Sequence, residues 1–312
     1  MKVELIFHPI YELLNSIHAY SETTIYKKTE LGTNWRKQAT SRISKELAES
    51  LNTNKKKLFK FLYEYVLTRS FDEMPIEQIL EELTNVDEQL VISDFFAKLK
   101  MKEDQMKLIT ETFHEAVGLV KRWNEEYFQH VDKTIITRLE LDFKQKKDQL
   151  KKCAPNNVLP FIEKVTNGLV LNDFNDVKKV VLYPIYHSNP MIIYSIYEQI
   201  HFYGYPTEII LPEAEHEPAP RLMYRGMALT DKNRLKILRY LENKERSFTD
   251  IVQFIGLAKS TVHHHMVILR ASGLVQIILS PNTSERFRLR EKGLEEIYRS
   301  YHDYLFRASK KE

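Results

Sequence analysis

The chain has 312 residues, 43% of them hydrophobic and 29% charged; this excludes a disordered polymer, and the length favours two domains over one core. Its 46 basic and 43 acidic residues nearly cancel, but unevenly: residues 221–312 hold 18 basic against 10 acidic, and the residues before them 28 against 33. The single cysteine, Cys153, excludes an intramolecular disulfide and a thiolate metal cluster within one chain.

At the N-terminus the segment MKVELIFHPIYELLNS is interrupted by Glu4, Pro9 and Glu12 and has no small-residue cleavage site, so it does not read as a secretory signal. No run approaches the roughly 18 consecutive apolar residues that a bilayer span requires. The expectation is a reduced, soluble, cytoplasmic protein with no membrane partner. Helical patterns are predicted around Trp35–Leu51, Lys55–Thr68 and Ile76–Leu83. A longer one follows, with Met106, Ile109, Phe113, Val117, Val120, Tyr127 and Val131 at intervals of three, four or seven residues, in a stretch with few breakers. From residue 155 the texture changes. Prolines accumulate, and short apolar runs at Leu169–Leu171, Lys179–Tyr183 and Glu208–Leu211 read as strands. Between Tyr183 and Tyr205 lie six tyrosines, with Phe202, His187 and His201. Such aromatics with polar tips either line a ligand pocket or pack beneath a helical layer.

The polar, proline-containing segment Glu213–Pro220 is the linker candidate. The division it suggests is an α-rich N-terminal domain over 1–212, a linker over 213–224 and a C-terminal domain over 225–312. The fold class is mainly α, of the α+β kind, with a few strands in the large N-terminal domain.

Beyond the linker, a helix is predicted over Ala228–Leu241, and a second over Phe248–Ile255, with Ser247 as N-cap, Asp250 three residues on, and a stop at Gly256. A third, Lys259–Ala271, ends at Ser272-Gly273, the usual place of a left-handed cap. Strands Val275–Leu279 and Arg286–Arg290 form a hairpin in which Phe287 and Leu289 alternate with Arg286, Arg288 and Arg290, giving one packed and one cationic face. The last helix, Lys292–Phe306, carries a stripe of Leu294, Ile297, Tyr301 and Leu305, a candidate dimer seam or an internal packing face. Helix, helix, turn, helix, hairpin, helix is the order of a winged helix-turn-helix.

The segment Gly256 to Val275, GLAKSTVHHHMVILRASGLV, resembles the recognition segment of ArsR-type winged-helix regulators. Ser260-Thr261-Val262, His264-His265, Leu269-Arg270 and Gly273-Leu274-Val275 carry the likeness, which covers about residues 225–300. Two positions depart from it: Ala258 stands where a capping serine is usual, and Met266 replaces leucine. The opening HPIYELLNSIHAY also resembles the start of a long N-terminal domain, of uncharacterised role, found in a subset of those regulators. The resemblance implies sequence-specific binding of a double-stranded DNA operator by a homodimer.

In such a fold the N-terminal part of the third helix enters the major groove. Lys259, Ser260, Thr261, His263 and His264 are therefore the candidate base and phosphate contacts, with Arg270 better placed for a phosphate and Arg286 and Arg288 for backbone or minor groove. Val262, Met266 and Leu269 should face the core. Metal ligation by His263-His264-His265 is disfavoured, because successive helical residues point about 100° apart. The thiolate sensor site of the family needs more cysteines than Cys153 supplies. The last helix offers His302, Asp303, Glu295 and Glu296, but a cross-dimer site from His302 and Glu295 has no support beyond a solvated helix face.

No catalytic signature stands in the N-terminal region, and His114-Glu115 lacks a second histidine four residues after the first. The expectation is a transcriptional regulator rather than an enzyme, without cofactor or metal, with an unidentified small-molecule effector as a partner for the N-terminal domain. Cys153, beside Lys151 and Lys152, is a redox-switch candidate, although a packed or surface thiol is commoner. Two alternatives remain. One is a nucleic-acid-processing enzyme that uses the winged helix for targeting; the other is a winged helix that serves as a protein-interaction scaffold.

Overall fold

A computed structural model of the chain describes residues 1–22, 29–52, 58–87, 89–91, 93, 103–154, 157–207, 217–218 and 220–306. In chain order the elements are β1 (Lys2–Leu5), α1 (Pro9–Ser21), α2 (Gly32–Arg42), α3 (Lys45–Asn52), α4 (Leu58–Leu67), α5 (Ile76–Asn85), α6 (Glu103–Glu126), α7 (Lys133–Lys151), α8 (Val158–Val165), β2 (Leu169–Leu171), β3 (Lys179–Ile185), β4 (Ile193–Ile196) and β5 (Ile200–Pro206). They continue with α9 (Pro220–Leu229), α10 (Lys232–Tyr240), β6 (Arg246–Ser247), α11 (Phe248–Ile255), α12 (Lys259–Ala271), β7 (Val275–Leu279), β8 (Arg286–Leu289) and α13 (Gly293–Phe306). The fold is mainly helical with few strands.

The chain forms two compact units, Met1–Gln145 with Asp176–Ile209, and Lys146–Asn175 with Ile210–Glu312. The sequence boundary at 212 placed Lys146–Asn175 with the N-terminal domain; in the structure this segment clusters with the C-terminal residues. The linker prediction falls partly outside the described residues, and its last five positions, from Pro220, are already helical. The strand predicted at Glu208–Leu211 lies outside the described residues.

The first unit has a sheet of order β1-β3-β5-β4, with β4 antiparallel to β5 and the other pairs parallel. Strand β3 is buried on both sides, which is why Val180, Val181, Leu182, Tyr183 and Ile185 form a near-continuous apolar run rather than an alternating one. Beside it, α1 buries Ile10, Leu13, Leu14 and Ile17 completely, and α4 and α5 pack against α6. Phe113, Val117 and Val120 line the buried face of α6 as their spacing predicts. Met106 and Ile109 lie in a stretch whose side chains are outside the described set, and Tyr127 and Val131 come after the helix has ended. The predicted helix Trp35–Leu51 is two helices, interrupted at Ile43-Ser44. There the Ser44 backbone N–H donates to Glu126 at 2.5 Å, and the Ser44 hydroxyl accepts from the Leu47 N–H at 3.3 Å.

Polar groups enter this core as a connected set. Glu12 is 1% exposed and accepts from the backbone N–H of Tyr186 at 3.0 Å and of His187 at 2.8 Å, and its carboxylate lies 2.6 Å from His187 Nδ1. Tyr127 joins the far side of that imidazole at 3.2 Å and accepts from the Trp35 indole at 2.7 Å. Buried polar groups persist when each finds a partner, and these do. Of the six tyrosines, Tyr183, Tyr203 and Tyr205 are buried, with Tyr183 packed against Tyr11 and Tyr63.

The second unit contains the winged module, and its sheet has the order β2-β7-β8-β6. Strands β7 and β8 form the hairpin, pairing Val275 with Leu289 and Ile278 with Arg286. Strand β6 lies antiparallel to β8, and β2 lies parallel to β7 with Leu169 opposite Ile277. The predicted helix Ala228–Leu241 is divided into α9 and α10. Asp231 takes an extended conformation between them, and its carboxylate accepts from the N–H groups of Asn233 and Arg234, both at 2.9 Å.

Candidate nucleic-acid interface

Local chemistry sets the two helices that flank the turn. Ser247 and Asp250 form a reciprocal capping box at the start of α11: the serine hydroxyl accepts from the Asp250 N–H at 3.1 Å, and the Asp250 carboxylate accepts from the Ser247 N–H at 2.8 Å. Those contacts hold the Asp250 carboxyl below its usual range. Gly256, at φ 69°, ends α11 in the left-handed region, where a residue without Cβ is favoured. Helix α12 then begins at Lys259. Its N-cap, Ala258, makes no side-chain hydrogen bond, in line with the departure from the usual capping serine. At the other end Gly273, at φ 75°, turns the chain into β7.

Helix α12 has two distinct faces. Val262, Met266, Ile268 and Leu269 are at most 3% exposed. Lys259, Ser260, Thr261 and His264 are exposed, and His263 is half-buried with its ring edge-on to Phe248 at 5.9 Å between centroids. The three histidines thus diverge: one exposed, one edge-packed and one buried. His265 lies 3.4 Å from Arg234 Nη1 and 3.8 Å from Asp231. Desolvation lowers its pKa against the pull of Asp231, with Arg234 adding to the lowering. Among the described residues no group of three or more His, Cys, Asp and Glu could hold a metal ion.

The hairpin carries its arginines in two environments. Arg286 is exposed, and its Nη2 donates to the Glu245 carbonyl at 3.0 Å. Arg288 is half-buried and donates twice to the Gln276 side-chain oxygen, at 3.0 Å and 2.9 Å. The Glu245 carboxylate stands 3.8 Å from both guanidinium groups. Arg290 does not continue their cationic face. Strand β8 ends at Leu289, and Arg290 is 4% exposed, reaching Glu163 at 2.5 Å and Glu296 at 2.6 Å. Between α11, α12 and the hairpin lies a groove of about 330 Å³, lined by residues that include Ser247, Thr249, His263, Arg270, Ser284 and Phe287.

The helix end is where sequence reasoning missed residues. The side-chain amide of Asn167 donates to the carbonyls of Arg270 at 3.2 Å and Ala271 at 3.4 Å, the last turn of α12. The available signal was the Asn167-Gly168 dipeptide after a helical pattern, which marks a turn but names no distant partner. Glu163, Gln276 and Glu245 had no comparable signal.

On α13 the predicted stripe divides. Ile297 is 6% exposed, and the half-buried Tyr301 donates to the Leu222 carbonyl at 3.0 Å, so these two pack within the chain. Leu294 and Leu305, with Tyr298 beside them, are exposed, as are Met223 and Met227 on α9. His302 and Asp303 lie on the exposed surface of the same helix.

Among the described residues no helix is long and apolar enough to cross a membrane. Comparison with curated proteins and with solved structures returned no match. A family model described as bacterial regulatory protein, arsR family, matches residues 231–276, from the Asp231 cap to the first residues of β7, with the rest of the hairpin and α13 outside the match. The C-terminal unit therefore holds an ArsR-family helix-turn-helix domain, which points to a DNA-binding transcription regulator.

Proposed function

We propose that the protein is a sequence-specific, non-enzymatic regulator that binds duplex DNA as a homodimer in the cytoplasm. The observation that carries this reading is the division of α12: an apolar face seated in the module, and an exposed face of Lys259, Ser260, Thr261 and His264 at its N-terminal end. Those side chains offer donors and acceptors to base edges and phosphates in the major groove. Arg270, Arg286 and Arg288 contribute phosphate contacts, and the groove between α12 and the hairpin takes the sugar–phosphate strand. Exposed cations beside a polar helix face suit a polyanion better than a protein partner, whose interface centre would be depleted of charge.

One helix reads too few base pairs for specificity, and two half-sites about one helical turn apart supply the rest. The exposed apolar side chains of Met223, Met227, Leu294 and Tyr298 are the surface offered to a second copy. The first unit binds the signal, a small-molecule effector. Duplexes selected from a random pool by the purified full chain test the reading, with affinities compared at two salt concentrations. Selected duplexes should bind more tightly than unselected ones, with affinity falling as salt rises. Absence of binding at low salt, or equal affinity for every duplex, overturns it.

A further inference from the structure

The second unit draws a segment from far upstream in the chain. Helix α8, a left-handed turn at Asn167 and Gly168, and strand β2 lie against the C-terminal end of α12 and the outer edge of β7. Several contacts fix this strap. The Ile277 N–H donates to the Gly168 carbonyl at 2.8 Å, and the Asn172 N–H donates to the Leu279 carbonyl at 2.9 Å. Leu169 is fully buried. Glu163 accepts from Arg290 at 2.5 Å and from the Gln276 amide at 3.4 Å, and Gln276 in turn accepts both hydrogen bonds from Arg288.

Asn167 performs two tasks. Its φ of 57° ends α8 in a conformation that asparagine tolerates better than most residues with a Cβ. Its side-chain amide then reaches the carbonyls of Arg270 and Ala271. The Arg270 carbonyl also accepts from the Gly273 N–H at 3.0 Å, so the Asn167 amide adds a long-range hold to a helix end that is already capped locally. Gly168 permits the approach: at φ 115°, a Cβ would lie 2.9 Å from the Val275 carbonyl. A single strap therefore holds the end of α12 with one residue and the strand that carries Gln276 with its neighbours.

We propose that Asn167 and Glu163 are positioning residues for DNA reading, setting the angle between α12 and the hairpin so that base contacts and backbone contacts are made together. This rests on the assignment of α12 as the DNA-reading helix. Base contacts require close geometry, whereas phosphate attraction acts over longer range and tolerates misplacement. Loosening the strap should therefore reduce sequence preference while leaving non-specific affinity largely intact. A merely structural role would lower both, or neither.

The test uses the full chain carrying Asn167→Gly, which keeps the left-handed turn and removes the amide. The expected result is a fall of about tenfold in the affinity ratio between a duplex selected by the wild-type protein and an unrelated duplex, with the unrelated affinity within about twofold. Glu163→Gln, which keeps the shape and weakens the hold on Arg290, should act in the same direction and serves if the first variant does not fold. An unchanged ratio, or equal losses on both duplexes, overturns the proposal. Hydrogen exchange without DNA separates it from the functional reading, because faster exchange at the last turn of α12 and in β7 is expected in Asn167→Gly even if the wild-type protein binds no duplex. Unchanged exchange at both places overturns the clamp itself.

Discussion

Arg290 holds Glu163 at 2.5 Å although the two residues are 127 positions apart in the chain. The same guanidinium donates to both oxygens of Glu296, at 2.6 Å and 2.8 Å, and to the Gly273 carbonyl at 3.3 Å. One side chain thus joins the strap, the turn after α12 and the first turn of α13. The carboxylates that accept its hydrogen bonds outweigh the cost of desolvation and raise the pKa of the arginine.

Removing the guanidinium leaves two partly covered carboxylates without their shared partner. Arg290→Met should destabilise the second unit by about 3 kcal/mol, at the lower end for a broken buried pair because both glutamates retain some solvent. Arg290→Lys should recover less than half of this, since one ammonium cannot reproduce a fork that engages two carboxylates and a carbonyl. Urea unfolding followed on the second unit measures both, and a loss below 1 kcal/mol in Arg290→Met contradicts the role.

Arg288 stands on the hairpin with its guanidinium between Gln276 and Glu245. Arg288→Ala should weaken binding similarly for all duplexes and reduce the salt slope by about one. Glu245→Gln should have the opposite effect, tightening binding to any duplex at low salt, because it removes the carboxylate that faces both hairpin arginines. Anisotropy titrations across a salt series decide the matter; unequal losses across operator variants would argue against a backbone role.

His264 and His263 have different surroundings on the same helix turn. The exposed His264 should change the preferred base at one half-site position when altered to alanine, by about 1–3 kcal/mol of discrimination. His263→Ala should also alter preference, but less, because that ring is partly engaged with Phe248. Sequencing of duplex pools selected by each variant is the measurement, and identical pools for both variants would remove these residues from the groove.

The proposed dimer surface has its own test. Tyr298, 70% exposed, and Leu294, 55% exposed, point away from their own unit, whereas Ile297 and Tyr301 point into it. Leu294→Glu combined with Tyr298→Glu should give a monomer in sedimentation at micromolar concentration that still unfolds cooperatively, with a melting temperature that no longer depends on protein concentration. A dimer that persists would place the seam elsewhere.

The first unit should lose stability in acid. His201 is fully buried on β5, and burial pushes its pKa from 6.5 down to about 4, against a smaller raising effect from the Tyr197 backbone. The imidazole is therefore neutral in the fold over a range where the unfolded chain binds a proton. Its contribution is complete above about pH 6.5 and is lost as the pH falls from there towards 4, by up to about 3 kcal/mol. His201→Gln, which has no proton to gain, should reduce the slope of the melting temperature over that interval, the remainder coming from His18, whose burial also lowers its pKa to about 4. An unchanged slope would mean that other groups govern it.

The DNA module was legible where its signals are local. Ser247 with Asp250, Gly256, and Ser272-Gly273 fix helix ends through groups within four residues, and α11 and α12 begin and end where those residues predict. Asp231 was missed because the apolar period runs through it from Leu229 to Leu235, hiding a cap that divides the helix. Arg290 was misread because a period of two continues past the last paired residue, Leu289. Strand β2 looked like part of the N-terminal domain because three apolar residues carry no information about a partner 108 positions away. In the N-terminal unit the helix faces were readable, but the pairing of Glu12 with His187 was not, since no spacing rule links residues 175 apart.

The pairing of β2 with β7 also bears on how the module is made and handled. During synthesis Leu169–Leu171 emerges from the ribosome long before Val275–Leu279, so the sheet cannot close until nearly the whole chain is available. A fragment beginning at Pro220 would lack that strand and leave the outer edge of β7 unpaired, its N–H and C=O groups open to a strand from another molecule. Excision before Pro220 would thus convert a protected edge into a template for self-association, because the sheet of this module is assembled from segments that are discontinuous in the gene.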